Sequence, residues 1–207
     1  MELTDFQKDA LTELINIGYG RAAGALSELT GYRVIVEVPQ VTLHVVADIG
    51  TILEKTLSAR VANVNQRFSG PVSGNALLVM NEASAKVLSS LLGSAAPASG
   101  DFDANAKEII QEVGNILLNA CLGAFGNLLQ IHVSFAVPRL EVEHVSRVLR
   151  STNRTTQHST HGLLVHTHFQ VQSADIYGYL VLVLGLASFD RLMLELEKWS
   201  QRESSGV

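Results

Sequence analysis

The sequence predicts an α+β fold: a single domain made of two helix, strand, hairpin, helix repeats related by a pseudo-twofold. Three observations carry this. Two long helical patterns, at 4–30 and from 104 to about 129, share residues at a constant offset of 99, with Glu13 matching Glu112 and Asn16 matching Asn115. The offset persists downstream, where Val34 matches Val133 and Pro39 matches Pro138. Each half then reads as a hairpin followed by a shorter helix. The repeats are 1–93 and 103–200, joined by a linker at 94–102 that is small, polar and contains Pro97. Each half is small for a core of its own, so one shared sheet is expected. That sheet is mostly antiparallel, with the two long helices on its outside.

The elements follow in order. Thr4 with Gln7 three residues later reads as a capping box. Leu3, Phe6, Ala10, Leu14 and Ile17 gather on one helical side, widened by Leu11 and Ile15. A bend at Gly18 and Gly20 and a stop at Gly31 are expected. Val34, Val36 and Val38 alternate, then Pro39 interrupts, then Val41, Leu43 and Val45 alternate. A proline there removes a ladder donor and implies an edge, a bulge or a sharp bend. The stretch 49–55 suits a single helical turn. Residues 59–68 and 72–80 read as a hairpin closed by Ser69, Gly70 and Pro71, and 82–92 as a helix ended by Gly93.

In the second half Asp103 caps a helix with the apolar stripe Ile109, Val113 and Ile116, broadened by Ile110 and Leu117. Val133, Phe135 and Val137 alternate up to Pro138. Residues 151–161 form a polar loop without an apolar residue. Strands at 162–171 and 177–184 and a helix at 188–199 complete the chain. Gly74 aligned with Gly178 has an offset of 104, and the five extra residues fit in the polar loop.

Composition excludes several classes. The chain has 207 residues, net charge −5 and no basic run, which argues against nucleic acid and anionic membrane as partners. One cysteine, Cys121, precludes an internal disulfide and suits a reducing cytoplasm. The N-terminus lacks the basic and apolar segments of a signal peptide, and no apolar run is expected to span a membrane.

The candidate site is the repeated polar face. At ~100° per residue Asp9, Glu13 and Asn16 share an arc of about 60°. The second copy is Glu108, Glu112 and Asn115. Each copy reads acid, three residues, Glu, two residues, Asn, then twenty-two residues and Pro. A single exposed Glu and Asn is an ordinary solvated helix face. Packing dictates repeated core positions but not repeated solvated ones, so the match is a functional signal.

This double motif resembles the CheC, CheX and FliY group of chemotaxis phosphatases. Its pattern of Asp or Ser, three residues, Glu, two residues, Asn and a distant Pro fits Asp9, Glu13, Asn16 and Pro39. It fits Glu112, Asn115 and Pro138, with Glu108 departing at the opening position. The resemblance covers nearly the whole chain; two motifs in this length are similar to CheC, and no residues remain for the flagellar switch domain of FliY. It implies hydrolysis of the aspartyl phosphate on the response regulator CheY. Asn16 and Asn115 would orient the attacking water, and Glu13 and Glu112 would dock the regulator's lysine. Asp9, Glu108, Pro39 and Pro138 would support the motif. No cofactor or metal of its own is implied, since the regulator supplies Mg²⁺. The receptor deamidase CheD is a further implied partner, docking on 119–129 with Leu122 and Phe125 as contacts. An inhibitory role in receptor methylation also follows from the resemblance. The rival reading is a non-catalytic adaptor that binds CheD or a flagellar switch component.

Other residues have plainer expectations. His166 and His168 share a strand face without a third ligand at metal spacing. His158 and His161 lie in the polar loop and are expected in solvent. Cys121 is expected to be a packed thiol rather than a nucleophile. Gly18, Gly20, Gly24, Gly123 and Gly126 are expected to allow close helix packing rather than to bind phosphate.

Overall fold

The computed structural model describes residues 3–93, 102–149, 161–172 and 174–205. The first long helix, α1, runs Asp5–Thr30 without a break at Gly18 or Gly20. Thr4 caps it reciprocally: Gln7 N donates to Thr4 Oγ1 at 3.2 Å, and Thr4 N donates to Gln7 Oε1 at 3.1 Å. Gly18 is buried, and a Cβ there would meet the Cys121 backbone at 2.9 Å, so this glycine sets a close helix crossing. Gly20, Gly24 and Gly123 have open space instead and serve no packing contact. Chain order continues with β1 Val34–Val36, β2 Gln40–Val45, α2 Val46–Thr56, β3 Arg60–Ser69, β4 Gly74–Asn81 and α3 Glu82–Leu91. The stretch expected to make one helical turn is therefore the eleven-residue α2, which buries Val46, Ile49 and Leu53.

The second series opens with α4, Ala104–Leu129, capped by Asp103 Oδ1, which accepts from Ala106 N at 2.6 Å. It continues with β5 Ser134–Phe135, β6 Arg139–His144, a 3-10 turn at Val145–Arg147, β7 His161–Val171, β8 Ala174–Leu184 and α5 Leu186–Ser205. Helix α4 is long and apolar enough to cross a membrane by composition, contrary to expectation, but half of its most apolar window is buried inside the fold. The linker at 94–101 and most of the polar loop, His158 included, lie outside the described residues.

One antiparallel sheet of eight strands runs β1-β7-β8-β4-β3-β5, with β2 also on β7 and β6 also on β3. The edge strands are exchanged between the halves. The strand that follows α1 pairs with the second hairpin, and the strand that follows α4 pairs with the first. Both edges are broken in the same way. Val36 faces Phe169 and Gln40 faces His166, so four steps on one strand meet three on the other. Phe135 faces Phe68 and Arg139 faces Asn65, again four against three. Each is a one-residue bulge on an edge strand that ends in a buried proline, Pro39 or Pro138, where the missing N–H costs least. The bulges match in their hydrogen bonds too: Glu37 N donates to His168 O at 3.1 Å and Ala136 N to Arg67 O at 2.9 Å.

These bonds set the internal equivalence. With the bulges aligned at 99, Arg67 corresponds to His168, an offset of 168 − 67 = 101. Across the hairpins Arg67 faces Asn75 and His168 faces Tyr177, so β4 and β8 are offset by 177 − 75 = 102. The alignment of Gly74 with Gly178 at 104 is thus two residues out of register; ladder bonds, not shared glycines, decide it.

The sheet is covered on both faces. Ala76, Leu78, Met80, Leu180, Leu182 and Leu184 point to the core under α1, α3, α4 and α5. Their neighbours Leu77, Val79, Val181 and Val183 point to a second core closed by α2 and the 3-10 turn. Strands buried on both faces read as continuous apolar runs, as here. Cys121 is buried between the helices, and burial pushes its thiol up, so it packs as an inert group. His161 is not a solvated loop residue: it starts β7 and stacks on Phe189 with ring centroids 5.1 Å apart.

His168 fastens the first bulge. Its Nδ1 lies 2.9 Å from Glu37 Oε1 and its Nε2 3.0 Å from Asp175 Oδ1, while the ring stacks on Tyr177 at 4.2 Å. Burial alone would disfavour the imidazolium, but the hydrogen bonds and charges of Glu37 and Asp175 outweigh it, and the pKa is raised.

Two predictions follow from these contacts. Gly31 and Gln130 are equivalent helix ends in the left-handed region, at φ 69 and φ 57. Gln130→Gly should raise stability by roughly 0.5–1 kcal/mol by removing the strain of a side chain there, read from denaturant midpoints. A pKa raised by folding means that the His168 clamp stabilises fully below the unfolded value and fades as pH rises through the folded one. The destabilisation by His168→Gln should therefore be larger at about pH 5.5 than at about pH 9 in urea unfolding, and an equal loss at both would refute the clamp.

Candidate functional site

Both sets of candidate residues lie on the long helices, on the polar side opposite their buried stripes. On α1 the stripe Leu11, Leu14, Ile15, Gly18 and Ala22 is buried, which turns Asp9, Glu13 and Asn16 to solvent. Phe6 departs from its expected burial and is 50% exposed. It sits at the rim of an open groove of 560 Å³, where Asp9, Glu13 and Ile17 of α1 face Leu128 and Trp199. Among the described residues the exposed Asn16 side chain makes no hydrogen bond, so both its amide donor and its carbonyl are open to solvent.

On α4, Glu108 and Glu112 are exposed and Asn115 is half-buried. Here the carboxamide is held. Asn119 Nδ2 donates to Asn115 Oδ1 at 2.7 Å, and Asn115 Nδ2 lies 3.5 Å from Glu112 Oε2. Asn119 Oδ1 in turn accepts from Gln66 Nε2 at 2.9 Å, and the same nitrogen donates to Ala136 O at 3.0 Å. Gln66 is buried in β3, and Ala136 is the first residue of the second bulge. The motif residues of the second half are therefore tied to the first half's hairpin and to the chain leading into Pro138.

Both prolines are buried, and the residue before each stands out at the bulge: Val38 is 70% and Val137 80% exposed. The exposed valines stand at equivalent positions beside the two sites. Leu122 and Phe125, expected as partner contacts on α4, are 2% and 5% exposed. They belong to the core side of the helix, Leu122 four residues after Leu118 and Phe125 four residues after Cys121 on the same buried stripe, and cannot receive a partner.

Sequence reasoning missed Gln66 and Asn119. Asn119 carried a signal, since a residue four positions after Asn115 shares its helix face. Gln66 carried none beyond being a polar residue in a strand pattern, because its partner lies fifty-three residues away. The strand histidines His166 and His168 also diverge: His168 holds two carboxylates, whereas His166 is exposed and meets Tyr179 edge-on.

Chemically, each site offers a carboxamide with donor and acceptor next to a carboxylate one turn away, and the carboxylates of the first site border an open groove. That arrangement can position a water or a peptide but holds no nucleophile.

Known proteins are similar to this chain in sequence and in fold. Residues 6–43, from α1 through the first bulge into β2, match the family model of the CheC-like family. The CheY-P phosphatase CheC of Bacillus subtilis (strain 168) is 24% identical over 201 residues, covering 92% of this chain and 93% of that protein. The flagellar motor switch phosphatase FliY of the same organism is 25% identical over 150 residues, 70% of this chain, but the match spans only 38% of FliY. Among solved structures, Thermotoga maritima FliY superimposes with a TM-score of 0.76 at 18% identity, covering 96% of this chain and 100% of that one. A CheC-like superfamily protein from Shewanella sp. PV-4 follows the same fold at a TM-score of 0.54 and 12% identity, over 83% of this chain and 97% of that one. The first motif thus lies within a segment that matches the CheC-like family, and the whole chain is similar in sequence to CheC and in fold to FliY.

Proposed function

We propose that the chain is a phosphatase that hydrolyses the aspartyl phosphate of a CheY-type chemotaxis response regulator. The observation that supports it most is the pair of Glu-x-x-Asn faces, on equivalent turns of α1 and α4, with Asn16 exposed and Asn115 half-buried. The regulator brings the phosphoryl group, a Mg²⁺ that neutralises its charge, and a lysine. Phosphoryl transfer then needs chiefly alignment. Asn16 and Asn115 hold a water in line with the phosphorus: the carbonyl accepts from the water while the amide tolerates the anionic oxygens that would repel a carboxylate. Glu13 and Glu112, one turn away, pair with the regulator's lysine and set the docking register. Asp9 and Glu108 extend the acidic side of each face, and Pro39 and Pro138 shape the bulges beneath. Such a role belongs in the cytoplasm with the regulator, and it feeds receptor adaptation.

A second reading is an adaptor that binds CheD or a flagellar switch component without hydrolysis. Its support is the fold shared with FliM of H. pylori, solved in complex with SpeE, at a TM-score of 0.67 and 8% identity over 96% of this chain. The longer Glu108 at the opening of the second motif adds to it.

Phosphate release from a phosphorylated CheY separates the two. The intact chain should accelerate release, and Asn16→Ala with Asn115→Ala together should remove the acceleration. A loss of roughly 100-fold corresponds to about 3 kcal/mol of lost positioning. Each single variant should keep the activity of the other site. Binding of CheY or CheD with no change in release rate would favour the adaptor instead.

A further inference from the structure

The amide chain behind the second site fixes which way Asn115 points. One end is the Ala136 carbonyl, which can only accept, so Gln66 must present its nitrogen there. That nitrogen also reaches Asn119, which must therefore present its oxygen to Gln66 and its nitrogen to Asn115. Asn115 then presents its oxygen to Asn119 and its nitrogen to the Glu112 carboxylate, another pure acceptor. Both ends of the chain demand the same polarity. Only one of the two carboxamide orientations of Asn115 satisfies it.

The first site has no such device. The position equivalent to Asn119 is Gly20, at 119 − 99 = 20, which has no side chain and open space around it. The position equivalent to Gln66 is Thr167, at 66 + 101 = 167, whose hydroxyl is engaged at 2.6 Å with the Tyr19 hydroxyl in the core. Gln66 is 1% exposed, and its own Oε1 is buried with no hydrogen-bond partner among the described residues. A buried amide with an orphaned oxygen is an uneconomical way to fill a core and costs stability relative to an apolar side chain. Its two donated bonds are what the position retains.

We propose that Gln66 and Asn119 are positioning residues that lock the Asn115 carboxamide in the orientation needed to receive water, and that Asn16 lacks this lock. The inference rests on the phosphatase reading for its kinetic consequence but not for its structural one. A preset amide spares the transition state the cost of choosing between two orientations, so the effect falls on kcat, while docking through Glu112 leaves KM unchanged.

The test uses the full chain. With the first site silenced by Asn16→Ala, Asn119→Leu should lower kcat for phospho-CheY by roughly three- to tenfold with KM unchanged. Asn119→Asp should lower it at least as far, because a carboxylate there accepts from Asn115 and turns its oxygen towards Glu112. With the second site silenced by Asn115→Ala, Asn119→Leu has no amide left to orient, and an equal fall in that background would show a general structural role and overturn the proposal. A second readout stands apart from activity. Side-chain ¹⁵N relaxation of the two amides should give Asn115 a higher order parameter than Asn16 in the wild type, falling towards that of Asn16 in Asn119→Leu. Equal order parameters in the wild type overturn the lock whether or not hydrolysis is found; a locked Asn115 with no phosphate release overturns the phosphatase reading alone.

Discussion

The exchange of edge strands is the constraint on which the rest of the molecule depends. Because β2 lies on β7 and β6 lies on β3, the strand that leaves each long helix completes the sheet of the opposite half. Neither half can satisfy its edge hydrogen bonds or cover its central strands without the other. Unpaired edges invite association with other chains, and here each is closed by a segment that ends in a bulge and a buried proline. The bulge takes up one residue of mismatch and bends the edge.

The same exchange builds the sites from both halves. Glu112 and Asn115 come from α4, but the amide that steadies them is anchored on β3, part of the first hairpin. Helices α1 and α4 pack side by side over one face of the sheet, with Gly18 against the α4 backbone, so their apolar stripes are consumed and Glu13, Asn16 and Glu112 stay exposed. An exposed helix face beside an open groove suits chemistry on a partner that carries its own reacting groups. It does not suit capture of a small molecule, for which enclosure supplies most of the binding.

Duplication preserved the outward face while the supporting layer diverged. Gly31 and Gln130 hold the same left-handed backbone with different residues, and the caps Thr4 and Asp103 do the same work with different oxygens. Beneath the motif the change has more consequence. A buried Gln with a helical Asn stands in one half, and a Thr–Tyr hydroxyl pair with a helical Gly in the other. Two sites with the same short pattern therefore present amides of unequal freedom.

Much was legible in the chain itself. Periodicity and caps located both long helices, since those signals are local and capping satisfies amides within a few residues. The offset of 99 revealed the duplication and the paired Glu and Asn residues, because solvated positions repeat only when something other than packing retains them. The prolines marked edge bulges for want of a donor. What only the tertiary structure decided lies at long separation. The exchanged edges, the register offset of 102 in place of the 104 implied by two glycines, the burial of Leu122 and Phe125, and the His168 clamp all depend on pairing between residues far apart in sequence. So does the amide chain from Ala136 to Glu112. Backbone ladders and buried polar pairs are chosen by which strands meet, and no local pattern encodes that meeting.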